Sequence, residues 1–376
     1  MLEDRDKLTR YEQVKYFIQT KIKNGEYKIG EKIPSLAKLC TNYQTSLITV
    51  RRAILELVSE GLLKTVTGKG IFVISSKKRN NDTKQNNLIG LIFTEMYVNT
   101  FYMELFHGIE KTLNSFGYKL IVSTTGDNPE RECQIILELK EKNVDGIIMT
   151  LSTVNRTLSA DNILKDLSRE NFPIVFIDRK FSGFSIDYVG SNNEEGGYIA
   201  TRYLLNLGHK RIGFILGVGG NTSQGKYSGY KRALSEFNIP LDPIIIKRSY
   251  IELQYAESGY SNTLDILQLA NPPTALFVAS DLHAMGVYRA CYELNIKIPD
   301  DLSIVGYDNI SYGEYLNPPL TTIHQSKYEM SEIACKLLLD RIRGEKSEPK
   351  EIFLDTRLIE RASCSKYKKY ANVAIL

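Results

Sequence analysis

Nowhere in its 376 residues does the chain hold a run of about 18 apolar side chains, the length a membrane-crossing helix needs. The opening segment, MLEDRDKLTRYEQ, is charged and lacks an apolar signal-peptide core, so a cytoplasmic location with no membrane partner is expected. Five cysteines, Cys40, Cys133, Cys291, Cys335 and Cys364, are scattered and form no CxxC pair. An odd, dispersed set argues for buried free thiols rather than disulfides or a zinc site. The four histidines, His107, His209, His283 and His324, are also dispersed, and no spacing among them suggests a metal. His209, in an LGHxR turn, is expected to make structural hydrogen bonds. The chain carries no GxxxxGK[ST], no HExxH and no GxSxG. These absences argue against a membrane protein, a disulfide scaffold and motif-bearing enzymes, and no cofactor is expected.

What is present is an ordinary globular composition, 43% hydrophobic and 24% charged, with enough chain for two or three domains. Charge is spread unevenly along it. Residues 1–85 hold 17 Lys and Arg against 9 Asp and Glu, a net +8, while the remainder holds 31 against 35, a net −4. A basic head on a mildly acidic body suggests that the head meets a polyanion and the body does not.

Hydrophobic spacing predicts three helices in that head. Tyr11, Val14, Ile18 and Ile22 make one apolar stripe over residues 9–24, with Gly25 as the stop. After the turn KIGEKIPS, Leu36, Leu39, Cys40 and Tyr43 repeat at helical spacing. The third helix lies in SLITVRRAILELVSEG, residues 46–61, with Val50, Ile54, Leu57 and Val58 as its back. Ser46, Thr49, Arg51 and Arg52 lie on its other sides, near its start. The segment LLKTVTGKGIFVIS then reads as a hairpin turning at Gly68-Lys69-Gly70, where glycine permits close backbone approach to another surface. Alone, the third helix would pass for a surface helix with two solvated arginines. Behind a spaced second helix and ahead of the hairpin, it completes a winged helix-turn-helix, whose third helix suits a DNA groove.

Over about 65 residues of a domain placed at 1–75, the turn GxKIPS, the helix TVRRA, the string EGLL and the wing GKGIFV resemble the DNA-binding domain of GntR-type transcription regulators. The resemblance implies that Ser35, Ser46, Thr49, Arg51 and Arg52 meet phosphates or base edges of duplex operator DNA. It also implies that Gly68, Lys69 and Gly70 approach the minor groove or its backbone. At Leu47 and Ile48 this chain departs from relatives that often carry arginine or another polar residue. Two roles are open to Leu47: apolar contact with thymine methyls, or burial under its own helix. Residues 76–87 are polar and basic and read as a linker in which Lys77, Lys78 and Arg79 add phosphate attraction.

From Leu88 the pattern becomes short buried-strand runs (LIGLIF, KLIVSTT, VDGIIMT, NFPIVFID, HKRIGFIL, TALFVAS, LSIVGYD) alternating with helical segments. That rhythm predicts an α/β body of parallel sheets flanked by helices. Its length suits two lobes with a ligand cleft beyond the strand ends. GYIATRYLLNLGHKRIGFILG, GYKRAL, PTALFVASD and PDDLSIVGYDNISYGEYLNPPLTTI resemble the effector domains of LacI/GalR-type regulators, related in fold to periplasmic sugar-binding proteins, across residues 88–363. A GntR-type head on a LacI-type body is the arrangement of arabinose-responsive repressors and a few related sugar regulators. The tail, residues 364–376, lies beyond the resembled region.

The resemblance places Asp308, in GYDN, at a sugar-contacting acid, and Ser280 and Asp281 at an Asn-Asp pair after a strand, with serine in place of the usual asparagine. Asp178 and Arg179 end a strand at another cleft-facing position. Gln224 or Lys226 falls near the family's pocket arginine, and Phe101 or Tyr102 at a stacking aromatic. Each has a simpler reading. Asp281 would cap a helix starting at His283, Asp308 would close a turn, and Phe101 and Tyr102 would be core. The glycine-rich GVGGNTSQG reads as a ligand loop or a plain turn.

The expectation is a homodimeric transcriptional repressor, released from a pseudo-palindromic operator when a small sugar closes the lobes. L-arabinose is the first candidate by resemblance. An activator or corepressor-dependent regulator would use the same parts with the sign of coupling reversed. A sugar carrier would have no use for a basic helical head.

Overall fold

A computed structural model describes residues 9–66, 69–74, 86–95, 100–152, 156–181, 183–217, 219–249 and 255–368. Lys77, Lys78, Arg79, Gly68 and the last eight residues of the tail lie outside the described residues. The chain divides into two compact units, Met1–Gln85 and Asn86–Leu376.

In the first unit, helices α1 (Arg10–Lys23), α2 (Leu36–Tyr43) and α3 (Leu47–Ser59) precede the antiparallel strands β1 (Leu63–Val66) and β2 (Gly70–Val73). Each helix start is written into the sequence. The Thr9 N–H donates to the Glu12 carboxylate at 2.8 Å, and Ser35 and Ser46 accept from the N–H groups of Lys38 and Thr49. Val14, Ile18 and Ile22 from α1 meet Leu39 from α2 and Val50, Ile54 and Leu57 from α3 in one core. Gly70 has φ +116°, a backbone conformation that residues with a Cβ rarely adopt, so the wing needs glycine at this point.

The second unit holds two six-stranded sheets. The first runs β13 (Glu351–Leu354), β7 (Asp187–Ser191), β6 (Ile174–Ile177), β5 (Gly146–Met149), β3 (Leu88–Phe93), β4 (Lys119–Thr124), with every pair parallel. The second runs β14 (Thr356–Ile359), β12 (Thr321–Gln325), β11 (Ser303–Asp308), β10 (Ala275–Val278), β8 (Ile212–Leu216), β9 (Ile246–Arg248), and only β14 is antiparallel to its neighbour. Central strands β5, β6, β8 and β10 are buried end to end, as continuous apolar runs flanked by helices require. Helices α4 (Thr100–Ser115), α5 (Pro129–Glu141), α6 (Leu158–Arg169) and α11 (Lys327–Ile342) serve the first lobe. Helices α7 (Asn193–Asn206), α8 (Gly220–Glu236), α9 (Tyr255–Leu267) and α10 (Asp281–Glu293) serve the second. The chain passes between the lobes three times, after β7, after β12 and between β13 and β14.

Several elements escape the sequence pattern. Helices α6 and α9 and strands β7, β9, β12, β13 and β14 are not foreseen by it. GVGGNTSQG is not a loop throughout: α8 begins at Gly220. No helix among the described residues is long and apolar enough to cross a membrane.

Candidate nucleic-acid interface and ligand cleft

The leading turn of α3 begins at the Ser46 cap, where Ser46 Oγ and Thr49 Oγ1 lie 2.8 Å apart. Arg51 is exposed beside it. Arg52 leans back, its guanidinium carbon 3.8 Å from the centre of the Tyr11 ring on α1, with Nε 3.9 Å from Glu56. The two arginines therefore do not form a pair at the helix tip. Leu47 is 53% exposed and Ile48 82%, which removes burial under the helix as a role for Leu47. Ser35 caps α2 from an exposed position, and Lys69 is exposed at the turn of the wing.

The cleft is built where the carboxyl ends of parallel strands in the two lobes face one another. From the first lobe comes Asp178, directly after β6, with φ +65°. From the second comes Asp308, the last residue of β11, with φ +107°. Asp178 lies in the ordinary left-handed well that aspartate tolerates, whereas Asp308 lies beyond it, and backbone strain of that kind gathers at binding sites. The Tyr102 hydroxyl donates to Asp178 Oδ2 at 3.2 Å, and Gln325 Nε2 at the end of β12 donates to Asp308 Oδ1 at 2.7 Å. Gln325 Oε1 is buried with no hydrogen-bond partner among the described residues, an acceptor beside Asp308 that awaits a donor.

Lys226, on α8, is buried, donates to the Ala279 carbonyl at 2.9 Å and sits 3.8 Å over the Tyr307 ring. Burial lowers its pKa, while Asp308 and Asp178 pull it back up. Burial likewise raises Asp178, against the opposing pull of Arg179 and Lys226. The Asp308 carboxyl is lifted by burial to about 6, although Lys226 and Lys327 favour its charged form. Arg179 Nη1 pairs with Asp127 at 2.9 Å. Lys327 donates to the carbonyls of Asp308 and Asn309 and reaches Glu104 at 3.2 Å.

Of the residues foreseen from sequence, Tyr102, Asp178, Arg179, Lys226 and Asp308 converge here. Gln224 does not: two positions along α8 separate it from Lys226, and it is exposed while Lys226 is buried. Asp281 does not take the capping role expected of it. Ser280, not Asp281, caps α10, and Asp281 is wholly buried, accepting from the Ile310 N–H at 2.9 Å and the Thr322 hydroxyl at 2.6 Å. With both oxygens engaged it ties the start of α10 to β12 and to the turn after β11. Phe101 and Tyr102 are packed in the core of the first lobe, with only the Tyr102 hydroxyl turned to the acids. Ser280 Oγ lies 2.8 Å from His283 Nδ1, and Ser249 Oγ 2.6 Å from Nε2, so that ring is held neutral at the rim, its pKa pushed by burial down to about 3. His209 makes the structural bonds expected of it, to Thr274, Ser303 and the Ser365 carbonyl.

Gln325, Lys327, Glu104 and Asp127 were missed. They come from TTIHQSK and from helix or turn positions where charged and amide side chains ordinarily face solvent. Only the fold brings them together. A groove of about 860 Å³ lined by Met103, Val122, Arg131 and Tyr312 opens along β4, apart from this cluster.

Comparison with known proteins agrees with this architecture. Residues 10–73 match the bacterial regulatory proteins of the gntR family, and residues 201–364 the periplasmic binding protein-like domain. The chain is 32% identical over 332 residues to the ribose operon repressor of Haemophilus influenzae, an alignment covering 88% of this chain and 97% of that protein. It is 36% identical over 285 residues to the transcriptional repressor PurR of Yersinia pestis, covering 75% of this chain and 80% of the relative. Among solved structures, a LacI family regulator from Enterococcus faecium with bound ribose superposes with a TM-score of 0.66 at 32% identity, covering 75% of this chain and all of that one. These relatives are transcriptional regulators, not enzymes.

Proposed function

We propose, for a chain that belongs to the LacI family of transcriptional regulators and carries a GntR-type DNA-binding head, that it is a repressor released from its operator by a neutral pentose. The observation that supports the sugar is the pair of strand-ending acids, Asp178 and Asp308, close enough to act on one another, with the orphan Gln325 Oε1 beside them. Fixed acids and amides discriminate sugar stereoisomers, because a misplaced hydroxyl leaves buried polar atoms unpaired. Around them stand Arg179, Lys226 and Lys327 against Asp127, Asp178, Asp281, Asp308 and Glu104, a carboxyl majority that disfavours a phosphorylated sugar.

The ribose named for two of the relatives makes D-ribose the first candidate, with L-arabinose, the candidate from sequence, second. On the DNA side, Ser35, Ser46, Thr49, Arg51, Arg52, Lys69 and Gly70 are assigned to phosphates and base edges. A homodimer is assigned because one head spans too few base pairs for useful specificity. Sugar binding would bias lobe closure and so the fit of the paired heads, a coupling of about 1–3 kcal/mol in typical systems.

Calorimetric titration with D-ribose, L-arabinose, D-glucose and D-ribose 5-phosphate tests the pocket, and a gel shift with the bound sugar tests the direction. One neutral pentose is expected to bind and to weaken the shifted complex. Binding by the phosphate alone would refute the neutral-sugar assignment, and a strengthened complex would make the sugar a corepressor.

A further inference from the structure

The leading turn of α3 carries two kinds of side chain. The polar ones are largely engaged: the Ser46 and Thr49 hydroxyls lie within hydrogen-bond distance of each other, and the Thr49 N–H donates to Ser46 Oγ at 3.3 Å. Arg52 is drawn back over Tyr11. What the tip presents outward is Ile48, 82% exposed, and Leu47, 53% exposed, with Arg51 beside them. Neither apolar residue serves the core of the head, which takes Val50, Ala53, Ile54 and Leu57 from this helix.

One exposed aliphatic side chain needs no explanation. Two in succession, on the turn that leads a recognition helix, form an apolar tip where hydrogen-bonding side chains would ordinarily read bases. In the major groove each base pair presents donors and acceptors, and the only apolar group among them is the C5 methyl of thymine. We propose that Leu47 and Ile48 are specificity-determining residues that read thymine methyls, so that each operator half-site carries thymine where the leading turn of α3 lies. Arg51 supplies the charged contact alongside. The inference rests on the head being a DNA-binding domain and states what that domain selects.

Full-length protein selects its best-bound duplex from a randomised duplex library, and each thymine of that duplex is then replaced singly by deoxyuridine. Deoxyuridine keeps every hydrogen-bonding edge of thymine and lacks only the methyl. At one or two positions per half-site the replacement is expected to weaken binding about fourfold, the factor for losing one buried methyl's worth of apolar surface. In Leu47→Ala and Ile48→Ala, whose exposed helical positions tolerate alanine, the penalty at those positions should disappear. Uridine replacement without effect anywhere in the wild-type complex overturns the proposal, as does a penalty that persists undiminished in both variants. If the library yields no enriched duplex, the DNA-binding reading of the head itself fails and takes this inference with it.

Discussion

Asp308 is a single carboxyl on which both the fold and the proposed pentose would act. Its ordinary pKa of 3.8 is raised to about 6 by burial, with Asp178 adding to the rise and Lys226, Lys327 and Gln325 opposing it. Between those values the folded chain holds a proton that the unfolded chain has released. Stability from this group therefore falls as pH rises through that window, and above it the full cost of burying the charge is present. A sugar hydroxyl donating to the carboxylate favours the charged form and works the other way. Pentose affinity is expected to weaken as pH drops below about 6, approaching tenfold per unit, the limit for one linked proton. Asp308→Asn should bind weakly throughout and show a flat profile. Titration calorimetry across this range decides the matter, and an unchanged slope in the variant would take Asp308 out of the contact set.

At the scale of elements, Lys327 does work that its place in the sequence conceals. It opens α11, a helix packed on α4 of the first lobe, yet its ammonium bonds two carbonyls of the second lobe and reaches Glu104 on α4. Lys327→Met leaves those acceptors unpaired in a buried site and is expected to cost about 2–4 kcal/mol, read as a lower urea midpoint at unchanged slope. Lysine at the start of an exposed-looking helix gives no such hint. Legibility followed how each element buries itself. The head was readable because α1 and α3 bury branched aliphatics at helical spacing, and strands such as LIGLIF and LSIVGYD because both faces are covered. Helix α9 was not, since its buried residues are Ser258, Gly259, Asn262, Thr263 and Ile266, and four small or polar side chains make no apolar stripe. Glycine concealed the start of α8 in the same way. A Cβ at Gly225, within GVGGNTSQG, would lie 2.9 Å from Asn193 Cβ, so this glycine brings α8 close to α7 instead of turning the chain. Strand β12, TTIHQ, alternates too little apolar surface to announce a buried strand, and with it went Gln325 and Lys327.

For the whole molecule, the basic head and the acid-lined cleft lie in separate compact units, so the two activities should be separable by substitution. Arg51→Ala is expected to cost about 1–3 kcal/mol of sequence discrimination while pentose affinity stays unchanged. Asp308→Ala should bind operator normally and fail to release it when sugar is added. A gel shift and a calorimetric titration on each variant check the pair, and joint loss of both functions in either variant would indicate misfolding. The three passages of chain between the lobes carry a further consequence, one of timing during synthesis. The first sheet begins at Leu88 but receives its last strand, β13, only at Glu351, and the helix α11 that covers it is almost as late. A ribosome has therefore emitted the chain through β13 and β14 before the two sheets are complete. The head, complete by Val73, can fold long before them, so the part that would grip DNA matures ahead of the part that would tell it to let go.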